Sequence, residues 1–344
     1  MSASPAASKP TRLLRYADAL APTTAVLVYI AAAYVGGFAA LIFGGWPGWL
    51  AGVLLTAHAM VIAAYMIHEC AHNSVFRDPA HNARLGRVLC WITAACYGTY
   101  EEIRDKHMRH HVDRADVVFL DYREILRARP WLRRALATLE WFHVPATEVM
   151  MHALVLWLPF RAPFYRHNRT RVLVCLAIRG SAFLALAWFA WPAAAGYVAA
   201  YLLLLIVLRI MDMHQHTYEV FVTLGTGRKG PPKEFDRAYE HRNTFSNALG
   251  RSRLLNLVVL NFGFHNAHHE RPAAPWYQLP RLNRELFGAE AERFLPFINV
   301  LRGYHRYRVV RVMNEDHGDM DVGTGPDKGL GFVGVYGVSF LTAL

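Results

Sequence analysis

Residues 49–72 read WLAGVLLTAHAMVIAAYMIHECAH. From Trp49 to Met66 there is no Asp, Glu, Lys or Arg. About 20 apolar residues cross a hydrocarbon core, so the segment is expected to span a membrane and to deliver His68 and His72 where it ends. Residues 24–43, also free of formal charge, form a second span just before it, and Gly44-Gly45-Trp46-Pro47-Gly48 reads as the turn of a hairpin. Residues 172–191 and 193–211 repeat the arrangement around Trp191-Pro192-Ala193, with only Arg179 and Arg209 interrupting them. The expected class is an all-α integral membrane protein, with four transmembrane helices in two hairpins and a cytoplasmic helical cap.

Charge sets the expected orientation. Both short turns lack Lys and Arg, whereas Lys9, Arg12 and Arg15, the middle segment and the C-terminal third are rich in them. Positive residues stay on the cytoplasmic side, so both termini and the histidine-bearing ends are expected there. The net charge of +11 is accounted for by that topology, and no nucleic-acid partner is inferred. Residues 1–22 read as a cytoplasmic arm, without a cleavage site after a short apolar core. Residues 23–283 form the expected membrane domain, and residues 284–344 a C-terminal cytoplasmic segment with a Gly-rich apolar tail from Gly329 to Leu344, which reads equally well as a peripheral extension or as a functional segment.

Two further apolar stretches are too short or too interrupted to cross. Leu89–Tyr97 is expected at the membrane interface, and Ala135–Phe160, which contains Glu140, His143, Pro145 and Glu148, as an interfacial helix broken near Pro145. Cys70, Cys90, Cys96 and Cys175 show no CxxC spacing and are expected to pack as small apolar residues.

Three clusters carry the chemistry: His68-Glu69-Cys70-Ala71-His72, His107-Met108-Arg109-His110-His111 and His265-Asn266-Ala267-His268-His269. Spacings of three and four place side chains on one helical face, so each cluster is expected to present two or three imidazoles to a common point. Imidazole suits iron, zinc, copper or nickel alike. A further ligand is expected in Asp212-Met213-His214-Gln215-His216, where His216 is preferred because Asp212 lies one turn before it. Asp212, His214, His241 and Asn261 are the candidates for holding ligands in place. His58, His81, His143, His152, His167, His305 and His317 have no neighbour at metal spacing and read as packing or surface residues.

The order HxxxH, HxxHH, HxxHH along the chain resembles the membrane fatty acid desaturase and hydroxylase superfamily, as do Gln215-His216 and the run HERPAAPWYQLP at 269–280. Ile67 stands where a glycine commonly precedes the first box, and residues 112–120 lack the Thr-Asn and Asp-rich continuation common after the second. The resemblance implies two irons held by the box histidines and the added one, dioxygen as oxidant, and two electrons per turnover from an external ferredoxin, rubredoxin or cytochrome. The substrate it implies is a fatty acid or acyl lipid. Desaturation is the commonest outcome on this scaffold, beside hydroxylation and decarboxylation of free fatty acids to terminal alkenes. A hydrocarbon tunnel is expected between the spans, where Ala51, Gly52, Ala63, Ala64 and Ala199 either leave room or pack helices. His68–His72 also spells HExxH, so an intramembrane zinc protease with Glu69 as general base stays open, as does a histidine-rich metal transporter or sensor.

Overall fold

Close packing of backbones sets the first pair of helices. The computed structural model describes residues 13–219, 221–224, 235–250, 252–288, 294–318 and 325–341, so Lys9, Arg12 and residues 342–344 lie outside it. Helix α1 (Leu20–Phe43) breaks only at Gly44, and α2 (Gly45–Ala71) begins at once, so the expected five-residue turn is a one-residue joint. Gly45 has φ +59°, a left-handed conformation open to glycine. Gly37 and Gly52 let the two helices touch, since a Cβ on Gly52 would sit 2.8 Å from the Gly37 carbonyl oxygen. Gly52, Ala63 and Ala64 therefore serve helix packing. None of the five small residues lines any of four cavities in the described residues.

α2 runs five residues past the expected span to carry the first box, and its second half is almost wholly buried. α3 (Pro79–Ile92), capped by the Asp78 side chain at Ala80 N, packs against it. Leu89, Cys90, Ala95 and Cys96, of the segment expected at the interface, join the core there, while Trp91 stays exposed. α4 (Tyr100–Asp113) opens with a capping box in which the Thr99 hydroxyl accepts from Glu102 N while the Glu102 carboxylate accepts from Thr99 N.

Next come α5 (Tyr122–Ala128), α6 (Pro130–Trp141) and α7 (Ala146–Trp157). The break at 142–145 falls where Pro145 was expected to put it. Two long apolar helices follow, α8 (Arg169–Phe189) and α9 (Trp191–Asp212), joined at Ala190 alone. The Trp49 indole N–H donates to the Pro192 carbonyl at 2.6 Å, so the two joints lie at one end of the helix set. Exposed Phe43, Trp46, Trp188, Phe189 and Trp191 crowd that end, as aromatic side chains do where hydrocarbon meets water.

The charges inside these helices have partners. Arg209 of α9 reaches Glu140 of α6 at 2.8 Å and Glu148 of α7 at 3.0 Å, and donates to the Tyr304 hydroxyl. Arg179 of α8 donates to the Trp91 carbonyl and the Tyr197 hydroxyl. A buried ion pair of the Arg209 kind contributes little net stability, yet losing one partner costs about 3–5 kcal/mol. It fixes α6 and α7 to α9.

Among the described residues, which are mostly helical, one small sheet departs from the all-α expectation. β1 (Asp116–Val118) pairs in parallel with β2 (Phe221–Thr223), joining the segment after the second box to the segment after His216. Three residues are too few to show a period of two. Short helices α10 (Arg237–Arg242), α11 (Arg253–Leu257), α12 (His265–Glu270), α13 (Leu279–Phe287) and α14 (Phe297–Arg306) complete the structure. The described part of the N-terminal arm is docked: Arg15 N donates to Val75 O, and the Tyr16 hydroxyl donates to the Ala273 carbonyl at 2.6 Å.

The tail departs furthest from expectation. Phe332, Val335, Tyr336, Ser339, Phe340 and Leu341 are all buried. Glycines at 329, 334 and 337, all with positive φ, allow the turns that fold the segment inward. Its described part, up to Leu341, belongs to the core and is not a peripheral extension.

Candidate metal centre

Three helices and one loop converge on a single buried region. α2 delivers His68 and, at its C-cap, His72; α4 delivers His107, His110 and His111; α12 delivers His265, His268 and His269. His216 follows the end of α9, held in an isolated bridge to Thr244 while Phe245 N donates to Gln215 O. All nine expected ligands meet, in two sets: His68, His72, His107, His111 and His268 in one, and His110, His216, His265 and His269 in the other.

The division follows helix geometry and corrects the expectation of one common point per box. With 3.6 residues per turn, positions i and i+4 differ by about 40° around the axis, while i+3 falls about 60° to the other side. The i, i+4 pairs His68/His72, His107/His111 and His265/His269 each stay within one set, and the i+3 residues His110 and His268 cross to the other. Each HxxHH box therefore bridges both sets.

Within the first set, His72 Nε2 lies 2.7 Å from His107 Nε2, His111 Nε2 3.2 Å from His107 Nε2, and His268 Nε2 3.1 Å from His111 Nε2. In the second, His216 Nε2 is 2.7 Å from His265 Nε2 and 3.0 Å from His110 Nε2. His110 Nδ1 donates to the Ala115 carbonyl at 2.8 Å, which leaves the Nε2 lone pair facing His216. His269 Nδ1 donates to Glu240 Oε1 at 2.9 Å, and its Nε2 is buried without a hydrogen-bond partner, as is His68 Nε2. Converging lone pairs and orphaned ring nitrogens are costly unless a cation lies between them. The residues present fit metal ions.

Burial favours the neutral, ligating form. It pushes the His107, His111, His216, His265, His268 and His269 imidazoles well below their ordinary pKa and His110 to about 4, with neighbouring imidazoles adding in the same direction for most of them.

The orienting residues were only partly legible. Glu240, beside the expected His241, holds His269, and its other oxygen accepts from Arg114 Nε at 3.1 Å. His241 is half exposed and lies 4.0 Å from Glu270. His214 turns away, its Nδ1 toward the Ile210 carbonyl and its ring against Phe332. Asn261 donates to the Trp276 carbonyl at 3.1 Å and serves the backbone. Asp212 makes no hydrogen bond to His216; its carboxylate lies by the Ser339 side chain and the Phe340 backbone in a small chamber beside the two sets. That chamber, about 40 Å³, is lined by Lys106, Asp116, Asp212 and Gln215 as well as by His107, His110, His216 and His265. One water needs roughly 10–15 Å³. Lys106 Nζ donates to the Ser339 carbonyl at 2.7 Å, and burial brings the Lys106 ammonium down and the Asp116 carboxyl up, each to about 7.

Residues far away in sequence also reach the site. Phe340 of the tail lies 5.4 Å from the His68 ring and 6.0 Å from the His107 ring, centroid to centroid, and Phe262 is 5.1 Å from His68. Glu69 does not stand free as a general base would. Its Oε2 accepts from the Ser74 hydroxyl at 2.7 Å and from Trp276 N at 3.1 Å, tying the first box to the chain after the third. Of the histidines read as isolated, His143 and His305 meet at 3.2 Å although 162 residues apart; neither they nor the other five join the two sets.

A family model described as fatty acid desaturase matches residues 44–300, three quarters of the chain and every histidine of both sets. The chain belongs to the fatty acid desaturase family. No curated protein sequence matches it. A desaturase-family chain is an oxidoreductase acting on lipid, and four helices long and apolar enough to cross a membrane fit an integral membrane protein. The buried histidine clusters are compatible with iron.

Proposed function

We propose that the two sets hold two irons, one at His68, His72, His107, His111 and His268 and the other at His110, His216, His265 and His269, and that the protein desaturates a fatty acyl chain with dioxygen. The observation that carries this reading is the convergence of nine buried imidazoles into two sets with ring nitrogens 2.7–3.2 Å apart. An iron pair with dioxygen supplies the oxidising power to remove hydrogen from an unactivated C–H bond, which acid and base side chains lack. In balance, two C–H bonds on adjacent carbons, one dioxygen, two external electrons and two protons give one alkene and two waters. This chain's residues supply the rest. Glu240 and the Ala115 carbonyl keep the His269 and His110 rings in one tautomer. The chamber beside Lys106 and Asp212 gives a dioxygen-sized molecule room next to both sets. Phe340 and Phe262 wall the first set with rings that exclude water.

In the membrane, α1–α2 and α8–α9 act as two hairpins whose joints face away from the cytoplasm, and the box-bearing helices form the cap on the cytoplasmic side with both termini. Trp49 on Pro192 at one end and the docked Tyr16 at the other support that placement. Residues 1–22 lead into the membrane domain of residues 23–283, and residues 284–344 return to its site. Electrons come from an external ferredoxin, rubredoxin or cytochrome at the basic face.

The test combines metal analysis with a product assay. Purified protein is assayed for iron and supplied with free fatty acids, acyl thioesters or lipids, a reductant and a donor, and products are identified by mass. About two irons per chain and an internal alkene are expected. Terminal alkenes one carbon shorter would assign decarboxylation instead, alcohols would assign hydroxylation, and one zinc without iron in active protein would end the di-iron reading.

A further inference from the structure

The chain that leads into the third box runs along the side of α2. Phe262 stacks on Tyr65 of α2 at 4.5 Å and meets the His68 ring at 5.1 Å, centroid to centroid. Four residues earlier, the Val258 carbonyl accepts from His58 Nε2 at 3.0 Å, while His58 Nδ1 accepts from the Tyr29 hydroxyl of α1. At 1.5 Å per residue, His58 lies about 15 Å along α2 from His68 and roughly 12 Å inside the end of the charge-free run 49–66. The end of α11 is therefore held beside the middle of the span, away from the level of the histidine sets.

The surface of the segment matches that depth. Leu254 is 77% exposed, and Leu255, Leu257 and Val258 are 53%, 41% and 44% exposed, four apolar side chains in a run of five. An exposed apolar run of this kind marks a contact surface. The fifth residue, Asn256, is buried, and its polar atoms are satisfied within the loop: Oδ1 accepts from Leu249 N at 2.8 Å, and Nδ2 donates to the Gly250 and Ser252 carbonyls. The N–H groups of Val258, Val259, Leu260 and Asn261 donate to the carbonyls of Leu255, Asn256, Leu257 and Asn256. A helix end in hydrocarbon leaves carbonyls that water cannot reach, and His58 supplies the donor for that of Val258. Charge is kept to the start of the helix, where exposed Arg253 has a stem long enough to carry its guanidinium toward headgroups.

We propose that α11 is inserted into the bilayer beside α1 and α2, with Leu254, Leu255, Leu257 and Val258 against lipid acyl chains, and that His58 and Tyr29 pin it there through the Val258 carbonyl. The proposal rests on the reading of α1 and α2 as membrane spans and is independent of the reaction catalysed. It accounts for an imidazole in the middle of an apolar span, outside both histidine sets, as a donor to backbone at membrane depth. The third box is then entered from within the bilayer.

The experiment uses full-length protein in phosphatidylcholine vesicles, with a nitroxide on one introduced cysteine. Its collisions with oxygen, which concentrates in hydrocarbon, are compared with its collisions with a water-soluble nickel chelate. Exposed Leu184→Cys on α8 and Glu285→Cys on α13 are the lipid-facing and water-facing references, and the wild type, whose four cysteines are buried, gives the background. Leu254→Cys and Leu257→Cys are expected to favour oxygen as Leu184→Cys does. Chelate collisions at the level of Glu285→Cys would overturn the proposal, and shielding from both reagents would overturn it by showing protein on this face. A Leu184→Cys label that itself meets the chelate would instead remove the reading of the long helices as spans, so the two failures are told apart. His58→Leu is expected to shift the Leu257→Cys label toward the chelate, and His58→Gln, which keeps a donor, to restore the preference for oxygen. Unchanged depth in His58→Leu would overturn the pinning. If His58→Leu does not fold, Tyr29→Phe, which removes only a hydroxyl, tests the same pin by the same ratio.

Discussion

The two histidine sets are built from the same helices yet are held differently. In the four-histidine set, His269 is fixed by Glu240 and His110 by the Ala115 carbonyl, so hydrogen bonds orient the rings. In the five-histidine set, the Nδ1 atoms of His111 and His268 are buried without a hydrogen-bond partner, and aromatic rings from Phe262 and Phe340 press on His68 instead. Polar partners fix two rings of the four-histidine set, although its His265 Nδ1 is also buried without one, and packing carries more of the five-histidine set. The difference implies unequal responses to the same disturbance.

The largest effect is expected where the sets are joined. His107→Ala or His268→Ala removes a ligand from the five-histidine set and should take lipid oxidation to background with loss of iron, measured by metal content and product mass. Full activity in either variant would remove that residue from the ligand assignment.

Acid should act on both sets together. Burial holds His110 near 4 against about 6.5 in an unfolded chain, so between those values the unfolded state binds more protons. Stability contributed by the neutral rings is thus present above about pH 6.5 and falls as pH drops toward 4. Thermal melts and retained iron across that window should decline together; a flat profile would show that the rings stay solvated.

Phe340→Ala separates the sets. Removing a buried phenyl costs about 3–5 kcal/mol, and the loss should appear as a lower melting temperature and as weaker iron retention at the packed set. Glu240→Gln does the converse. Loss of such an orienting carboxylate lowers metal affinity about 10–100-fold, so one iron per chain should leave at lower chelator concentration while the other stays. Simultaneous loss of both irons would merge what the geometry divides. The smallest effect belongs to His241→Ala, within about 0.5 kcal/mol and without change in iron, because the side chain is half exposed and outside both sets.

Some of this was already legible in the residues. Length and freedom from charge mark helices able to span a membrane, since a hydrocarbon core imposes its thickness on any helix that crosses it. Three- and four-residue spacings mark the box histidines as candidates for a shared metal site, because helical pitch is local. His216 was legible for the same kind of reason, by its place at the end of a span. Other features depend on chain segments that meet only after folding. Glu240 reaches His269 from 29 residues away and Phe340 reaches His68 from 272, and neither spacing has a local signature. Arg209 reads as an oddity in an apolar helix until Glu140 and Glu148 meet it. The Gly-rich tail reads as an appendage because glycine and apolar residues without a period carry no signal of where they pack. The sequence by itself determined the class, the number of long apolar helices and which histidines come together, all of which follow from local repeats. Only the tertiary structure decided how those histidines divide, what orients each ring and what walls the site, because these depend on long-range contacts that close when the chain folds.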